Sequence, residues 1–205
     1  MLHQIILFTL IFLCNLETFA SKNVPNLSPS IEKHILNFRP YISSTVTETT
    51  TNNIVFQNLK VRFGSLHKRK CEYVFKKLSR YENYSKYLSF VKKSKYFEKR
   101  KRVEFYLSSI FLPFDMILNF KIPRIKGPGE YPFIFDSGFL KGLNGNIHVS
   151  KKKFKNNKDP LCFIYINAEW KGKKTKIPNT VFELFTSTII RLGLTKLYRV
   201  SGHLP

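Results

Sequence analysis

An α+β fold, one antiparallel sheet crossed by a long C-terminal helix, is predicted by three features of the sequence. The first is Pro178–Val200, PNTVFELFTSTIIRLGLTKLYRV. Val181, Leu184, Phe185, Thr188, Ile189 and Leu192 recur there at the spacing of a helix face. Phe182, Ile190, Leu194 and Leu197 widen that stripe beyond what a surface helix carries, so the helix needs a large apolar partner. The second feature is Phe114–Ile122. Phe114, Met116, Leu118, Phe120 and Ile122 share one face and Asp115, Asn119 and Lys121 the other, as in a half-buried antiparallel strand. The third is the order of elements: a strand, two short helices, a run of strands, then the long helix.

The chain opens with MLHQIILFTLIFLCNLETFA. Ile5–Leu13 is a short apolar run, and Thr18-Phe19-Ala20 puts small residues where a signal peptidase reads. A secretory signal over residues 1–20, cleaved after Ala20, is expected, with an uncleaved membrane anchor over residues 5–20 as the alternative. No Lys or Arg precedes the run, and Leu13 stands before Cys14 where lipoprotein processing needs a small residue. Residues 21–53 are polar, with Pro25, Ser28-Pro29, Pro40 and the Ser/Thr run Ser43–Thr51. They read as an N-terminal extension or linker without a core of its own, Ile31–Phe38 forming a turn or two of helix.

From residue 54 to residue 205 the pattern is that of one domain. Ile54–Phe63 alternates as a strand and is broken by Gly64-Ser65. Lys68–Leu78 is helical, with Cys71, Val74, Phe75 and Leu78 on one face, and Tyr81–Leu88 is a second short helix. Strands follow at Val91–Glu98, Arg102–Ile110 and Phe114–Ile122. The basic loop Pro123–Gly129 leads to a strand at Tyr131–Phe135. Asn144-Gly145-Asn146 marks a turn or bulge, and Ile147 and Val149 lead into a loop over Lys151–Asp159. Leu161–Trp170 alternates again, the turn KGKKTK (171–176) follows, and Asn179 or Thr180 caps the last helix.

With 205 residues the chain can bury one core of ordinary size, and 43% hydrophobic and 15% aromatic residues exclude a disordered protein. Lys and Arg number 35 against 13 Asp and Glu, a formal charge of +22. Such a field attracts anionic lipid, nucleic acid or acidic partners. A compositional bias towards Lys, Asn, Ile, Phe and Tyr across the whole chain gives the same excess without function. His3, His34, His67, His148 and His203 are dispersed, with no local metal-ligand spacing, and no nucleophile elbow or phosphate loop is present. No metal and no cofactor is expected. Asp136 and Glu169 are the carboxylates near strand ends, and both read as turn-side or outward residues. Cys71 and Cys162 form either a disulfide, as suits an exported protein, or two buried thiols. Asn26-Leu-Ser28 and Asn83-Tyr-Ser85 match glycosylation sequons.

These elements resemble the START-like, polyketide cyclase/dehydrase (SRPBCC) helix-grip superfamily over residues 54–200. RYENYSKYLSFVKKSKYF, Arg80–Phe97, is similar to the family's stretch after its first helix, Asp-Tyr-x-x-Tyr-Pro-x-Phe-Leu-Pro-x-Val. Arg80 replaces the Asp, and Ser85 and Ser89 replace prolines. Gly138-Phe139-Leu140-Lys141-Gly142-Leu143-Asn144-Gly145 resembles the later strand with its paired glycines, and Ile177-Pro178 fits the start of the last helix. The nearest branch is the coenzyme Q-binding and ribosome-association-toxin group.

The resemblance implies a curved sheet gripping the C-terminal helix, with a cavity between them for a lipid, quinone or other hydrophobic molecule. Phe105, Leu107, Met116, Leu118 and Phe120, with Ile147, Ile164 and Ile166, would face Phe182, Phe185, Ile189 and Leu192. As apolar stripes these are first of all core, and a ligand would meet them only where they fail to close on one another. Arg124 and Lys126 in one basic loop, and Lys171, Lys173, Lys174 and Lys176 in the other, are the candidates for docking on an anionic membrane surface. A non-enzymatic carrier of a lipid, quinone or isoprenoid is the favoured expectation. A cyclase- or aromatase-like enzyme and a basic ribosome- or nucleic-acid-binding module are the alternatives. The apparent export signal counts against a nucleic-acid partner, and the lack of an acid–base constellation counts against the enzyme.

Overall fold

The computed structural model describes residues 27–203 apart from 111, 113–114, 139, 154–158 and 175–176. The expected signal segment and the Asn26 sequon position lie outside the described residues. Helix α1 (Pro29–Leu36) and strand β1 (Tyr41–Thr51) come first. Strand β2 (Ile54–His67), helix α2 (Cys71–Leu78), a 3-10 turn (Tyr81–Asn83) and helix α3 (Tyr84–Tyr87) follow. Then come β3 (Val91–Phe97), β4 (Arg102–Leu107), β5 (Met116–Lys121), β6 (Gly129–Gly138), β7 (Asn144–Lys152) and β8 (Leu161–Lys173). Helix α4 (Asn179–Tyr198) closes the fold. All eight strands pair antiparallel in one sheet, in the order β1-β2-β8-β7-β6-β5-β4-β3.

The sheet begins at Tyr41, not at Ile54. The Ser/Thr run that reads as linker is β1, paired with β2 along its whole length from Tyr41↔Gly64 to Thr51↔Ile54. Thr and Val favour the pleated backbone. The two-residue connection Asn52-Asn53 has φ of 50° and 60°, the left-handed pair of a tight hairpin turn that Asn tolerates.

Gly64 and Ser65 do not break β2; it continues to His67, and Phe63–His67 are all buried. The reason is α1, which lies across the outer face of the sheet. Pro29 begins it, as a residue with no N–H to leave unpaired. Its one buried side chain, Ile35, packs over Gly64, where a Cβ would sit 2.7 Å from Ile35 Cδ1. Ile35, Leu66, Leu161, Phe163 and Tyr165 make a small outer core there.

The inner face carries the main core. Register shifts at Val91/Lys93 and Asn119/Phe120 bend the far strands. Helix α4 runs beside β1 at one edge of the sheet and meets Phe90, at the foot of β3, at the other. It thus closes the gap between the two edge strands. Its N-terminus is held at Gln57, whose Nε2 donates to Asn179 Oδ1 (2.7 Å) and to the Ile177 carbonyl (3.1 Å). Asn179 therefore contacts β2 instead of capping the helix, and Pro178 occupies the cap. At the other end the Tyr198 hydroxyl lies 2.9 Å from the carbonyl oxygens of both Phe38 and Leu66. Cys71 and Cys162 are joined as a disulfide, Cα atoms 4.7 Å apart, tying α2 to the start of β8. This decides between the bridge and two free thiols.

Candidate ligand cavity

The inner face and α4 do not close on one another. Between them is a cavity of about 320 Å³. Ten of the twelve residues expected there line it: Phe105 and Leu107 of β4, Met116, Leu118 and Phe120 of β5, Ile147 of β7, Ile164 and Ile166 of β8, and Phe185 and Ile189 of α4. Several of these, including Leu118, Phe120, Ile147 and Phe185, are only half-buried because they face this space.

Phe182 and Leu192 are placed elsewhere. Phe182 is fully buried against Trp170, ring centroids 5.6 Å apart, in the layer that seats α4 on β2 and β8. Leu192 is 46% exposed on the outer side of the helix, as are Val181 and Leu184. The helix is rotated from the orientation its apolar count suggests. Thr186 and Gly193 face inward, and Gly193 leaves room for Phe90, whose ring tip would lie 3.4 Å from an added Cβ.

Alternation in the sequence does not reveal the whole wall. Phe133 and Phe135 of β6 and Tyr84 of α3 also line the cavity. Tyr84 stacks on Phe105 (5.5 Å), Phe105 meets Phe120 edge-on (5.4 Å), and Phe120 stacks on Phe135 (4.9 Å). This aromatic ladder crosses β4, β5 and β6. The Tyr131/Phe133/Phe135 alternation was the signal for its last rung.

Of the lining side chains, His67, Thr186, Tyr81, Tyr84 and Tyr198 carry hydrogen-bonding groups, and these bond within the protein. Tyr81 donates to the Pro123 carbonyl (2.9 Å), Tyr84 to Leu78 (2.7 Å) and Thr186 to Phe182 (2.8 Å). His67 lies between Ser65 Oγ (3.2 Å from Nε2) and Ser201 Oγ (3.3 Å from Nδ1). Burial pushes the phenols of Tyr81, Tyr84 and Tyr198 well above their ordinary range. What the interior offers a ligand is an apolar, aromatic surface.

The carboxylates lie outside it. Asp136 pairs with Arg102 (3.2 Å), and Glu169 with Lys60 (3.8 Å) on the solvent side of the sheet. Among the described residues no group of three or more His, Cys, Asp or Glu side chains is placed to hold a metal.

The basic loops do not make one surface. The loop 122–128 leads into Gly129, which pairs with Val149 and so lies level with Ile164 of β8; the other turn begins at Lys171 beyond Trp170. Seven residues of strand, roughly 23 Å, separate the two levels. Arg124 is committed within the protein, 2.6 Å from Glu98, 3.1 Å from Glu82 and 2.7 Å from the Ser79 carbonyl, with its guanidinium over Tyr96. Lys174 pairs with Glu48 (2.8 Å), and Lys171 lies over the Phe56 ring. Lys126 and Lys173 are exposed, and Lys176 lies outside the described residues. Among the described residues no helix is long and apolar enough to cross a membrane.

The fold is shared with solved structures. A START superfamily protein from Mycobacterium smegmatis superposes with a TM-score of 0.53 at 7% identity, covering 69% of this chain and 96% of that one. This chain has the START-like helix-grip fold. XoxI from Bacillus cereus matches over 69% of this chain and 94% of its own, with a TM-score of 0.51 at 10% identity. A conserved protein from Geobacillus kaustophilus matches with the same coverages, a TM-score of 0.52 and 16% identity. No protein-family model matches the chain, and no curated protein does. These helix-grip structures are covered almost whole, so just under a third of this chain is additional to them.

Proposed function

We propose that this helix-grip protein binds and carries a hydrophobic small molecule, a lipid, quinone or isoprenoid, in the cavity between its sheet and α4. The observation that carries the reading is the apolar space left between the sheet and α4. The volume lies at the lower end of the ~300–1,000 Å³ range of ligand pockets, which favours one apolar chain or ring system. The cavity's polar groups are turned to the protein's own backbone and to two serines. That favours binding over a cyclase- or aromatase-like reaction. A quinone is the cargo suggested by the resemblance to the coenzyme Q-binding branch.

The protein works outside the cytoplasm. Supporting this are the apolar N-terminal run with its small-residue site and the Cys71–Cys162 disulfide, which persists in oxidising compartments. Exposed lysines such as Lys126 and Lys173 bring it to anionic membrane surfaces.

The test is native mass spectrometry of the purified protein, followed by organic extraction and identification of what is released. A stoichiometric apolar molecule is expected. In parallel, Ile189→Trp fills the cavity from α4 and should abolish uptake while the protein stays folded. An empty protein that takes up no quinone, isoprenoid or acyl chain, and melts at the same temperature with and without them, overturns the reading.

A further inference from the structure

On the outer side of α4 lies a groove of about 1030 Å³, and its wall is shared with the cavity at Leu88, Phe90 and Ile189. Four cations surround it: Lys86 from α3, and Arg191, Lys196 and Arg199 from α4 and the turn after it. His34 also lines it, Leu192 and Tyr87 contribute apolar surface, and among the described residues no Asp or Glu lines it. All four cations are exposed, and none is in an ion pair with a described residue. Their side chains gather like charge, which costs stability wherever no anion neutralises it. Lys196 and Arg199 also suit the negative end of the helix dipole. Arg191 is two turns upstream of that end, and Lys86 belongs to another helix, so the dipole does not account for the cluster.

We propose that this groove seats the anionic headgroup, a carboxylate or phosphate, of an amphiphile whose apolar chain occupies the cavity. Phe90 stands between the two compartments. Its ring tip packs against α4 at Gly193, 3.4 Å from where a Cβ would stand, so the chain passes beside a side chain that lies against α4. Leu192, which the cavity does not use, then contacts the chain where it leaves the protein. The proposal rests on the cavity being a ligand site, and it adds the chemistry that selects the ligand.

The experiment is isothermal titration of the full protein with three ligands of one chain length: dodecanoate, dodecyl phosphate and dodecan-1-ol. Acetate and inorganic phosphate serve as headgroups without chains. Both charged amphiphiles are expected to bind about tenfold tighter than the alcohol, several exposed charge contacts each contributing a fewfold. The tighter of the two names the head. Acetate and phosphate alone bind weakly or not at all. The variant Lys86→Gln/Arg191→Gln/Lys196→Gln/Arg199→Gln, with all four positions on the surface, should bring the charged ligands to the alcohol's affinity and leave the alcohol unchanged. Equal affinity for all three heads, or a preference that survives the four substitutions, overturns the headgroup site but leaves the cavity reading standing. If none of the three binds, or Ile189→Trp leaves the alcohol's affinity unaltered, the cavity reading fails and the headgroup site with it.

Discussion

Asn53 holds the second left-handed position of the β1–β2 turn, at φ 60°. Left-handed backbone costs an ordinary side chain about 1–2 kcal/mol, most for β-branched types. Asn53→Val is therefore expected to lower unfolding free energy by about that amount in urea titrations, and Asn53→Gly to leave it equal or slightly higher. A neutral valine would show that β1 is not held by this turn. Arg124 presents a different case. Glu82 and Glu98 beside it are substantially exposed, so the ion pairs contribute little by themselves. The bond to the Ser79 carbonyl and the Tyr96 face pin the loop 122–128 to the segment after α2. Arg124→Gln should cost about 1–2 kcal/mol and leave sedimentation with anionic vesicles unchanged. Vesicle binding lost in a variant of unchanged stability would return Arg124 to the membrane surface.

At the level of elements, the disulfide joins α2 to β8 across 91 residues of chain. Closing so long a loop in the unfolded state is worth about 2–5 kcal/mol. Cys71→Ala/Cys162→Ala, or reduction of the native protein, should lower the melting temperature accordingly, and an unchanged melt would mean that the cysteines are not joined. The strands that sequence reading located most directly, β4, β5 and the second half of β8, are those in which one face is more buried than the other, so side-chain type reports position directly. Strand β1 offers no such contrast. Its faces are half-buried or exposed and its residues mostly Ser and Thr; what holds it is backbone pairing, which leaves little trace beyond the Asn-Asn turn. The end of β2 was obscured for the opposite reason, since α1 buries its second face and a glycine is needed where that helix lies closest. In α4 the outward Val181, Leu184 and Leu192 are as apolar as the inward residues, while two of the inward positions are Thr186 and Gly193. Hydrophobic spacing does not set the rotation, and so it points Phe182 and Leu192 at a cavity that neither reaches.

At the level of the whole molecule, three phenols report on how well the interior is sealed. Tyr81 and Tyr84 line the cavity beneath α2 and α3, and Tyr198 anchors the far end of α4. Burial raises the pKa of all three in the folded protein, whereas in the unfolded chain each titrates near about 10. A folded pKa above the unfolded one contributes stability that is complete below the unfolded value. That stability is lost as pH rises beyond it, because the unfolded state then gains by ionising and the folded state does not. The protein should therefore keep constant stability on this account up to about pH 9 and lose it steeply above about pH 10. The tyrosinate absorbance of Tyr81, Tyr84 and Tyr198, taken as the difference from single Tyr→Phe variants, should rise only together with loss of the folded circular-dichroism signal. A ligand in the cavity excludes water from the wall that Tyr84 shares with Phe105. At a concentration about 100 times its Kd it adds about 2.7 kcal/mol to the folded state, so the alkaline transition should move to higher pH in its presence. Titration of Tyr81, Tyr84 and Tyr198 near about pH 10 in the folded protein, with no ligand effect on the midpoint, would mean that water already reaches these three rings.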